Sequence, residues 1–165
     1  MTTSQNNYKT IAGLLRIALG GIFLWAFLDK VFGFGFATAA DKSWLQGGSP
    51  TLGFLKNATS GPFSSIYHNL AGNVLVDWLF MLGLFGIGLA LVLGIGMKIA
   101  TYSGTVLLIL LWSAVLPPKN NPVLDEHIIY LLSLHLLYRL EAGNYLGLGQ
   151  WWSQTALVQQ LAWLR

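Results

Sequence analysis

The 165-residue sequence contains no cysteine, and Asp, Glu, Lys and Arg together make up only 9% of it. The absence of cysteine excludes disulfide bonds, thiolate metal sites, thiol redox chemistry and cysteine-ligated iron–sulfur clusters. Soluble domains carry about 25% charged residues, because water must solvate a large surface. So little charge therefore excludes a soluble monomer, a disordered chain and a coiled coil.

Apolar residues are correspondingly abundant. The set AVILMFWYC accounts for 55% of the chain, which also has 19 glycines. The Lys and Arg residues are scattered singly, so the sequence has no basic stripe of the kind that binds nucleic acid. Its length suits one domain. We therefore predict a single integral membrane domain that covers residues 1–165 and lies in a lipid bilayer.

Long apolar runs divide this domain into four predicted spans, at approximately 11–34, 75–97, 99–117 and 126–142. Within the middle two runs, residues 78–97 and 99–118 carry no charge, and Lys98 lies between them. Each of these stretches is 20 residues long, enough to cross a hydrocarbon core of about 30 Å as a helix. Because so little separates them, they are predicted to form an antiparallel helical hairpin.

The first and last predicted spans contain ionisable residues. Only 12 residues separate Arg16 from Asp29, which is too few to cross the membrane, so at least one of them lies at or inside its boundary. In the last span, Asp125 is positioned to cap the start of a helix and Gly143 to end it. An interfacial helix is the alternative for this segment, which also contains His135 and Arg139.

The predicted fold class is all-α: an integral membrane four-helix bundle with a long, partly structured loop between helices one and two. That loop, residues 37–73, is too aromatic for a flexible linker and is predicted to pack on the membrane face as short helices or a re-entrant cap. The tail, residues 150–165, begins with Trp151 and Trp152 and is predicted to form an amphipathic interfacial helix.

The distribution of basic residues bears on orientation. With four spans both termini share a side, and the basic residues favour the cytoplasmic side for both. The two groups differ by one residue: Lys9, Arg16, Lys98, Arg139 and Arg165 on the side of the termini, against Lys30, Lys42, Lys56 and Lys119 on the other.

Antiparallel spans bring many of the ionisable residues to one membrane face, where such residues are functional candidates. The residues predicted to share that level are Asp29, Lys30, Asp77, Asp125, Glu126 and His127. The long loop can bring His68 to the same face. A structural interpretation is also open, in which Lys30–Asp77 and Arg16–Glu141 are ion pairs that fix the helix register.

The three histidines do not make a metal or haem site by spacing. His127 and His135 are eight residues apart on one helix, whereas ligands of one metal need a separation of three or four. His68 with His127 is the one conceivable bis-histidine pair, and we reject it. His127 can pass protons near neutral pH, while His135 is open to an ordinary hydrogen bond with a neighbour.

A polar pocket at one membrane face that opens into an apolar bundle suits a small molecule with a polar head and an apolar tail, such as a quinone. Quinone reduction needs proton delivery, which His127 with Asp125 or Asp77 could supply. The same surface also suits the docking of a partner protein.

Three segments carry a resemblance to a known family. Arg16, Gly20, Phe23 and Lys30 occur in RIALGGIFLWAFLDK, residues 121–127 read NPVLDEH, and residues 143–152 read GNYLGLGQWW. In this order they resemble the opening helix, the start of the last helix and the C-terminal signature of the DoxX/DoxD membrane proteins. The resemblance covers roughly residues 11–152, and the loop 37–73 resembles the DoxD-like branch.

The resemblance implies a four-helix bundle in a prokaryotic plasma membrane. For the DoxD branch it implies a subunit of thiosulfate:quinone oxidoreductase that works with a second subunit and passes electrons to quinone. For the broader DoxX branch it implies an accessory protein of redox or oxidative-stress assemblies. The alternatives are therefore a non-catalytic scaffold within a larger membrane complex and, ranked lower, a small-solute transporter that would need to oligomerise.

The site hypothesis assigns two sets of residues. The catalytic candidates are His127, Asp125 and Asp77. The candidates for quinone binding are Lys30, Asp29, Arg16, His135 and His68. Quinone is the expected electron acceptor, no metal or haem motif is present, and the expected partners are other subunits of a membrane redox complex or further copies of the chain.

Overall fold

The computed structural model describes residues 2–164, with the side chains of residues 7–161, 163 and 164, and this part of the chain is helical without any strand. Short 3₁₀ turns connect its helices. The α-helices are α1 (Thr2–Phe32), α2 (Leu52–Asn57), α3 (Ser64–Leu70), α4 (Val74–Leu93), α5 (Met97–Ala114), α6 (Glu126–Arg139), α7 (Gly149–Ser153) and α8 (Ala156–Gln160).

Three helical segments are long and apolar enough to cross a membrane: Asn7–Phe32, Val74–Leu93 and Met97–Ala114. The prediction of an all-helical fold is confirmed for the described residues, with three candidate membrane spans where four were predicted. Helix α6 is not among them, because its 14 residues rise only about 21 Å. It nevertheless packs along α5 and meets α1, so α1, α4, α5 and α6 form a closed group of four helices.

Helix α6 ends earlier than its sequence suggests. It stops at Arg139, and Glu141 then adopts a left-handed backbone with φ 51°. Gly143, which was expected to end the helix, instead lies against Gly94 so closely that a Cβ on it would be 2.5 Å from the Gly94 carbonyl oxygen. The glycine is therefore used for close contact between two turns.

Helices α4 and α5 form the predicted antiparallel hairpin. The turn between them uses Gly94 at φ 74° and Gly96 at φ 57°, a left-handed conformation that glycine adopts without steric cost. Glycine also permits close helix packing elsewhere, since a Cβ at Gly88 would lie 2.8 Å from the backbone nitrogen of Leu24. Side chains from all four helices, including Phe23, Met81 and Leu134, fill the core.

The hairpin defines two ends of the bundle. At the turn-side end, residues 94–96 join α4 to α5; at the loop-side end, α1 and α5 end while α4 and α6 begin. The loop-side end therefore holds the charged residues that the sequence places at one level: Asp29, Lys30, Asp77, Asp125, Glu126 and His127.

The long loop packs on the loop-side end. It contains α2, α3 and three 3₁₀ turns, so it is partly structured, as predicted. The Ser60 backbone N–H donates to the Ala114 carbonyl over 2.9 Å, and the Tyr67 hydroxyl donates to the Leu110 carbonyl over 2.9 Å. These bonds hold the loop to the end of α5.

The tail does not form the single interfacial helix that was predicted. It folds as two short helices, α7 and α8, because Thr155 between them is extended and its hydroxyl donates back to the Trp152 carbonyl. Val158 is fully buried, and the Trp152 indole donates to the Leu164 carbonyl over 2.8 Å. Arg165, which was counted for orientation, lies outside the described residues.

Candidate functional site

A cavity of about 760 Å³ lies between α4 and α5 at the loop-side end, beneath residues 50–70. We call it the loop-side cavity. Its volume is in the range of small-molecule sites. Among the residues that line it only Lys30 is charged, and the walls are otherwise mostly apolar. The lining includes Thr51, Tyr67, Phe80, Gly83 and Leu107.

The loop-side cavity is open sideways between the two helices. Leu79 on α4 and Val106 on α5 both line it, yet they are 62% and 59% exposed. Its lining on α4 extends from Val76 to Ile87, which corresponds to about 16 Å along the helix axis. In a membrane this shape offers an apolar groove that a lipid-soluble molecule can enter from the bilayer.

Lys30 lies at the wall of this cavity, near the end of α1. Its Nζ is 5.8 Å from the centre of the Phe80 ring, close enough for a cation–π interaction. The predicted Lys30–Asp77 ion pair is wrong, because within the described residues no carboxylate oxygen lies within 4.0 Å of the Lys30 ammonium. The lysine therefore presents its ammonium to an apolar space without a direct ion pair among the described residues.

Two buried carboxylates at this end bind the long loop. Asp77 Oδ1 accepts hydrogen bonds from Ser49 Oγ at 3.0 Å, Thr51 N at 3.1 Å and Thr51 Oγ1 at 2.5 Å. Asp29 accepts from the backbone N–H groups of residues 36 and 37, at 3.3 and 2.9 Å. A buried carboxylate needs such donors, so both residues hold the loop to the helix ends.

Thr51 links the loop to the cavity, because it both bonds Asp77 and lines the loop-side cavity. Neither Thr51 nor Ser49 was predicted as a site residue from the sequence. Their signal was the run Ser49-Pro50-Thr51 directly before α2, where short hydroxyl side chains beside a proline commonly shape a turn.

Asp125 and His127 form a compact pair at the start of α6. Asp125 Oδ1 accepts from the His127 backbone N–H at 3.0 Å and thereby caps the helix, as predicted. The Oδ2 atom lies 2.8 Å from His127 Nδ1. With Nδ1 held by the carboxylate, Nε2 is the nitrogen that can exchange a proton. Neither residue is among those that line the loop-side cavity.

Arg16 lies at the opposite end and is fully buried. The predicted Arg16–Glu141 pair is wrong: the guanidinium bonds only backbone carbonyl oxygens, and Glu141 is exposed. A guanidinium has five N–H donors, and the five acceptors here occupy them. The carbonyl oxygens belong to Leu91, Val92, Ala142, Tyr145 and Leu146.

The remaining two histidines line neither the loop-side cavity nor the surroundings of the Asp125–His127 pair. His135 Nε2 is 2.9 Å from Thr105 Oγ1 in the middle of the bundle, so it has the ordinary hydrogen bond that the sequence left open. His68 is exposed on α3. Across the part of the chain that is described, no group of three or more His, Cys, Asp or Glu residues is placed to hold a metal ion.

The predicted site residues therefore divide into separate places. Lys30 lines the loop-side cavity and Asp77 reaches it through Thr51, whereas the Asp125–His127 pair lies outside it at the same end. Arg16 lies at the turn-side end. No protein-family model, no curated protein and no solved structure matches this chain.

Proposed function

We propose that this chain is a membrane subunit of a quinone-linked redox system and that it binds the quinone in the loop-side cavity. The observation that carries the proposal is the cavity itself, which is apolar, open towards the bilayer and lined by one cation, Lys30. This combination matches a molecule with a polar, hydrogen-bond-accepting ring and a long apolar tail.

The fit can be followed along the cavity. The Lys30 ammonium can donate to a quinone carbonyl oxygen, and the adjacent Phe80 ring offers a surface for the quinone ring. An isoprenoid tail would then lie along the apolar faces of α4 and α5 towards Ile87. Asp77 acts in this proposal as a positioning residue, because it holds Thr51 at the cavity wall.

Two protons must reach a quinone when it takes up two electrons. The Asp125–His127 pair is the acid–base group at the loop-side end that we assign to this exchange, with the protons passing between the membrane surface and the cavity. The electrons are assigned to a partner subunit. A DoxD-like role in thiosulfate oxidation, which the resemblance of residues 11–152 implies, would make thiosulfate the donor.

The proposed setting is a prokaryotic plasma membrane, with both termini on the cytoplasmic side. In this membrane α1, α4, α5 and α6 form a four-helix bundle. Helix α6 is shorter than the hydrocarbon core, and the polar residues that flank it reach the two interfaces.

Two glycines on α4 provide a matched test of quinone binding. Gly83 lines the loop-side cavity, and a Cβ there would be 3.7 Å from Leu107, so a phenylalanine side chain would enter the cavity. Gly86 lies on the same helix with nothing within 4 Å of its Cβ position and does not line the cavity. Gly83→Phe should weaken binding of decylubiquinone to the purified protein at least about tenfold, while Gly86→Phe should not.

Binding is measured by quenching of tryptophan fluorescence, and Lys30→Gln supplies a second variant that removes the cation without filling the space. Equal decylubiquinone affinity in Gly83→Phe, Gly86→Phe and the unmodified protein would contradict the proposal that quinone binds in the loop-side cavity.

A second candidate function is a non-catalytic scaffold in a larger membrane complex. One observation favours it: Arg16, Asp29 and Asp77 are each buried and bonded to loop or backbone groups. These charged residues therefore stabilise the fold, and their presence needs no catalytic role. The scaffold predicts stable co-purification with partner subunits and no bound quinone. Extraction of an isolated chain that carries quinone would contradict it.

A further inference from the structure

A second cavity, of about 530 Å³, lies at the turn-side end and has no part in the proposed quinone site. We call it the turn-side cavity. It is formed where the α4–α5 turn meets the end of α6 and the start of α7. The lining residues that matter here are Gly96, Tyr138, Arg139, Glu141, Asn144 and Trp152.

Two opposite charges line this cavity without neutralising each other. Arg139 and Glu141 are only two residues apart, yet the described residues contain no ion pair between them within 4.0 Å. Among the described side chains the Glu141 carboxylate accepts one hydrogen bond, from Asn144 Nδ2 to Oε2 at 3.4 Å. The cavity thus offers one cationic and one anionic group, both available to a ligand.

The position of the cavity is that of a membrane interface. It lies level with the last residues of α4 and the first of α5, where two candidate spans end. Tyr138 and Trp152 line it as well, and such amphipathic aromatic rings favour the headgroup region. A headgroup at this depth would meet Arg139 and Glu141 together.

We propose that the turn-side cavity binds a zwitterion that carries a phosphate and a primary ammonium group, the chemistry of phosphoethanolamine. The phosphate bonds the Arg139 guanidinium, which suits phosphate geometry, and the ammonium donates to the Glu141 carboxylate. Phosphatidylethanolamine in the bilayer and free phosphoethanolamine share this chemistry. A choline headgroup has no N–H to donate and therefore binds less tightly.

The backbone conformation of Glu141 allows the effect of a substitution on stability to be separated from its effect on ligand binding. Its φ of 51° lies in the left-handed region, where asparagine or glycine is less strained than glutamate. Glu141→Asn should therefore leave the thermal stability of the ligand-free protein unchanged or raise it. The same variant removes the carboxylate that the ammonium needs.

The experiment places the 165-residue protein in mixed micelles of detergent and one lipid: dioleoyl phosphatidylethanolamine, dioleoyl phosphatidylcholine or dioleoyl phosphatidylglycerol. Native mass spectrometry then counts the lipid molecules that the protein retains. The unmodified protein should retain phosphatidylethanolamine about tenfold better than phosphatidylcholine. Glu141→Asn should lose this preference. Arg139→Gln should lose all three lipids. Lys98→Gln, an equal charge change at the same end but outside the cavity, should change nothing.

A separate arm adds free phosphoethanolamine without lipid. A rise in melting temperature that Arg139→Gln abolishes assigns the site to a soluble zwitterion, whereas retention of the lipid alone assigns it to the headgroup. The proposal is overturned if Arg139→Gln and Glu141→Asn retain phosphatidylethanolamine as Lys98→Gln does, or if the unmodified protein retains all lipids equally and the free zwitterion has no effect.

Discussion

The two ends of the bundle hold their loops with charges of opposite sign. At the turn-side end one cation, Arg16, collects five backbone carbonyl oxygens. At the loop-side end two anions, Asp29 and Asp77, accept hydrogen bonds from backbone N–H groups and hydroxyls. Neither end uses an ion pair between these residues, although the sequence contains oppositely charged residues at both levels.

The difference follows the direction of α4. Its last turn exposes the carbonyl oxygens of Leu91 and Val92, which have no partner within the helix and attract a cation. Its first turn carries Asp77, where the positive end of the helix dipole favours an anion. The two ends of α4 therefore favour the signs of charge found at Arg16 and Asp77, whereas Asp29, in the last turn of α1, is stabilised by backbone N–H groups of the loop.

The largest effect is expected at the turn-side end. Arg16→Met should lower the free energy of unfolding in detergent by about 3 kcal/mol, because it leaves several buried carbonyl groups without a donor. Thermal or denaturant unfolding of the purified protein measures the change. Arg16→Lys keeps the charge but has fewer directed donors, so its free energy of unfolding should lie between those of the unmodified protein and Arg16→Met.

Arg139→Met is the matched control for the cation, because Arg139 is exposed at the same end. A loss of stability from Arg139→Met equal to that from Arg16→Met would contradict the assignment of Arg16 as the residue that joins the turn-side segments.

A smaller effect is expected at the loop-side end. Asp77→Ala should cost about 2 kcal/mol, because the buried Thr51 N–H and hydroxyl lose their acceptor, whereas the half-buried Ser49 hydroxyl can bond water. Hydrogen exchange should rise in residues 49–57 and stay unchanged at the α4–α5 turn. Glu126→Ala, an exposed acid at the same end, should leave exchange in that segment as it is.

The smallest effect separates capping from acid–base chemistry. Asp125→Ala should cost about 1 kcal/mol as a lost helix cap, whereas Asp125→Asn should keep the cap, since asparagine is an equally good N-cap residue. If the Asp125–His127 pair carries protons, quinone-linked turnover should fall in both variants while stability falls only in the first. Full turnover in Asp125→Asn would leave the pair with a structural role alone.

Several elements were predictable because their causes are local. Apolar runs determined α4 and α5, and Asp125 identified its own cap on α6. The turn between α4 and α5 was predicted at Lys98, but residues 94–96 form it, because both glycines there adopt a positive φ. The tail was predicted wrongly because Thr155 adopts an extended backbone, which separates α7 from α8 within an otherwise suitable helical pattern. A pocket at the loop-side end was predicted as polar, yet the loop-side cavity is mostly apolar with Lys30 as its one charged lining residue, since its walls come from α4, α5 and a distant loop.

The sequence by itself determined that the chain is helical, with apolar helices long enough to cross a membrane, and that Asp29, Lys30, Asp77 and His127 lie near one end of it, because antiparallel apolar runs bring their flanking charges to one level. Only the tertiary structure decided what each charge touches. A buried charge bonds whichever polar groups the fold brings within reach, and for Arg16 these include a carbonyl 126 residues away in sequence. Ion pairs were expected for Arg16 and Asp77, but Arg16 donates to backbone carbonyl oxygens and Asp77 accepts from the hydroxyls of two loop residues and from one backbone N–H.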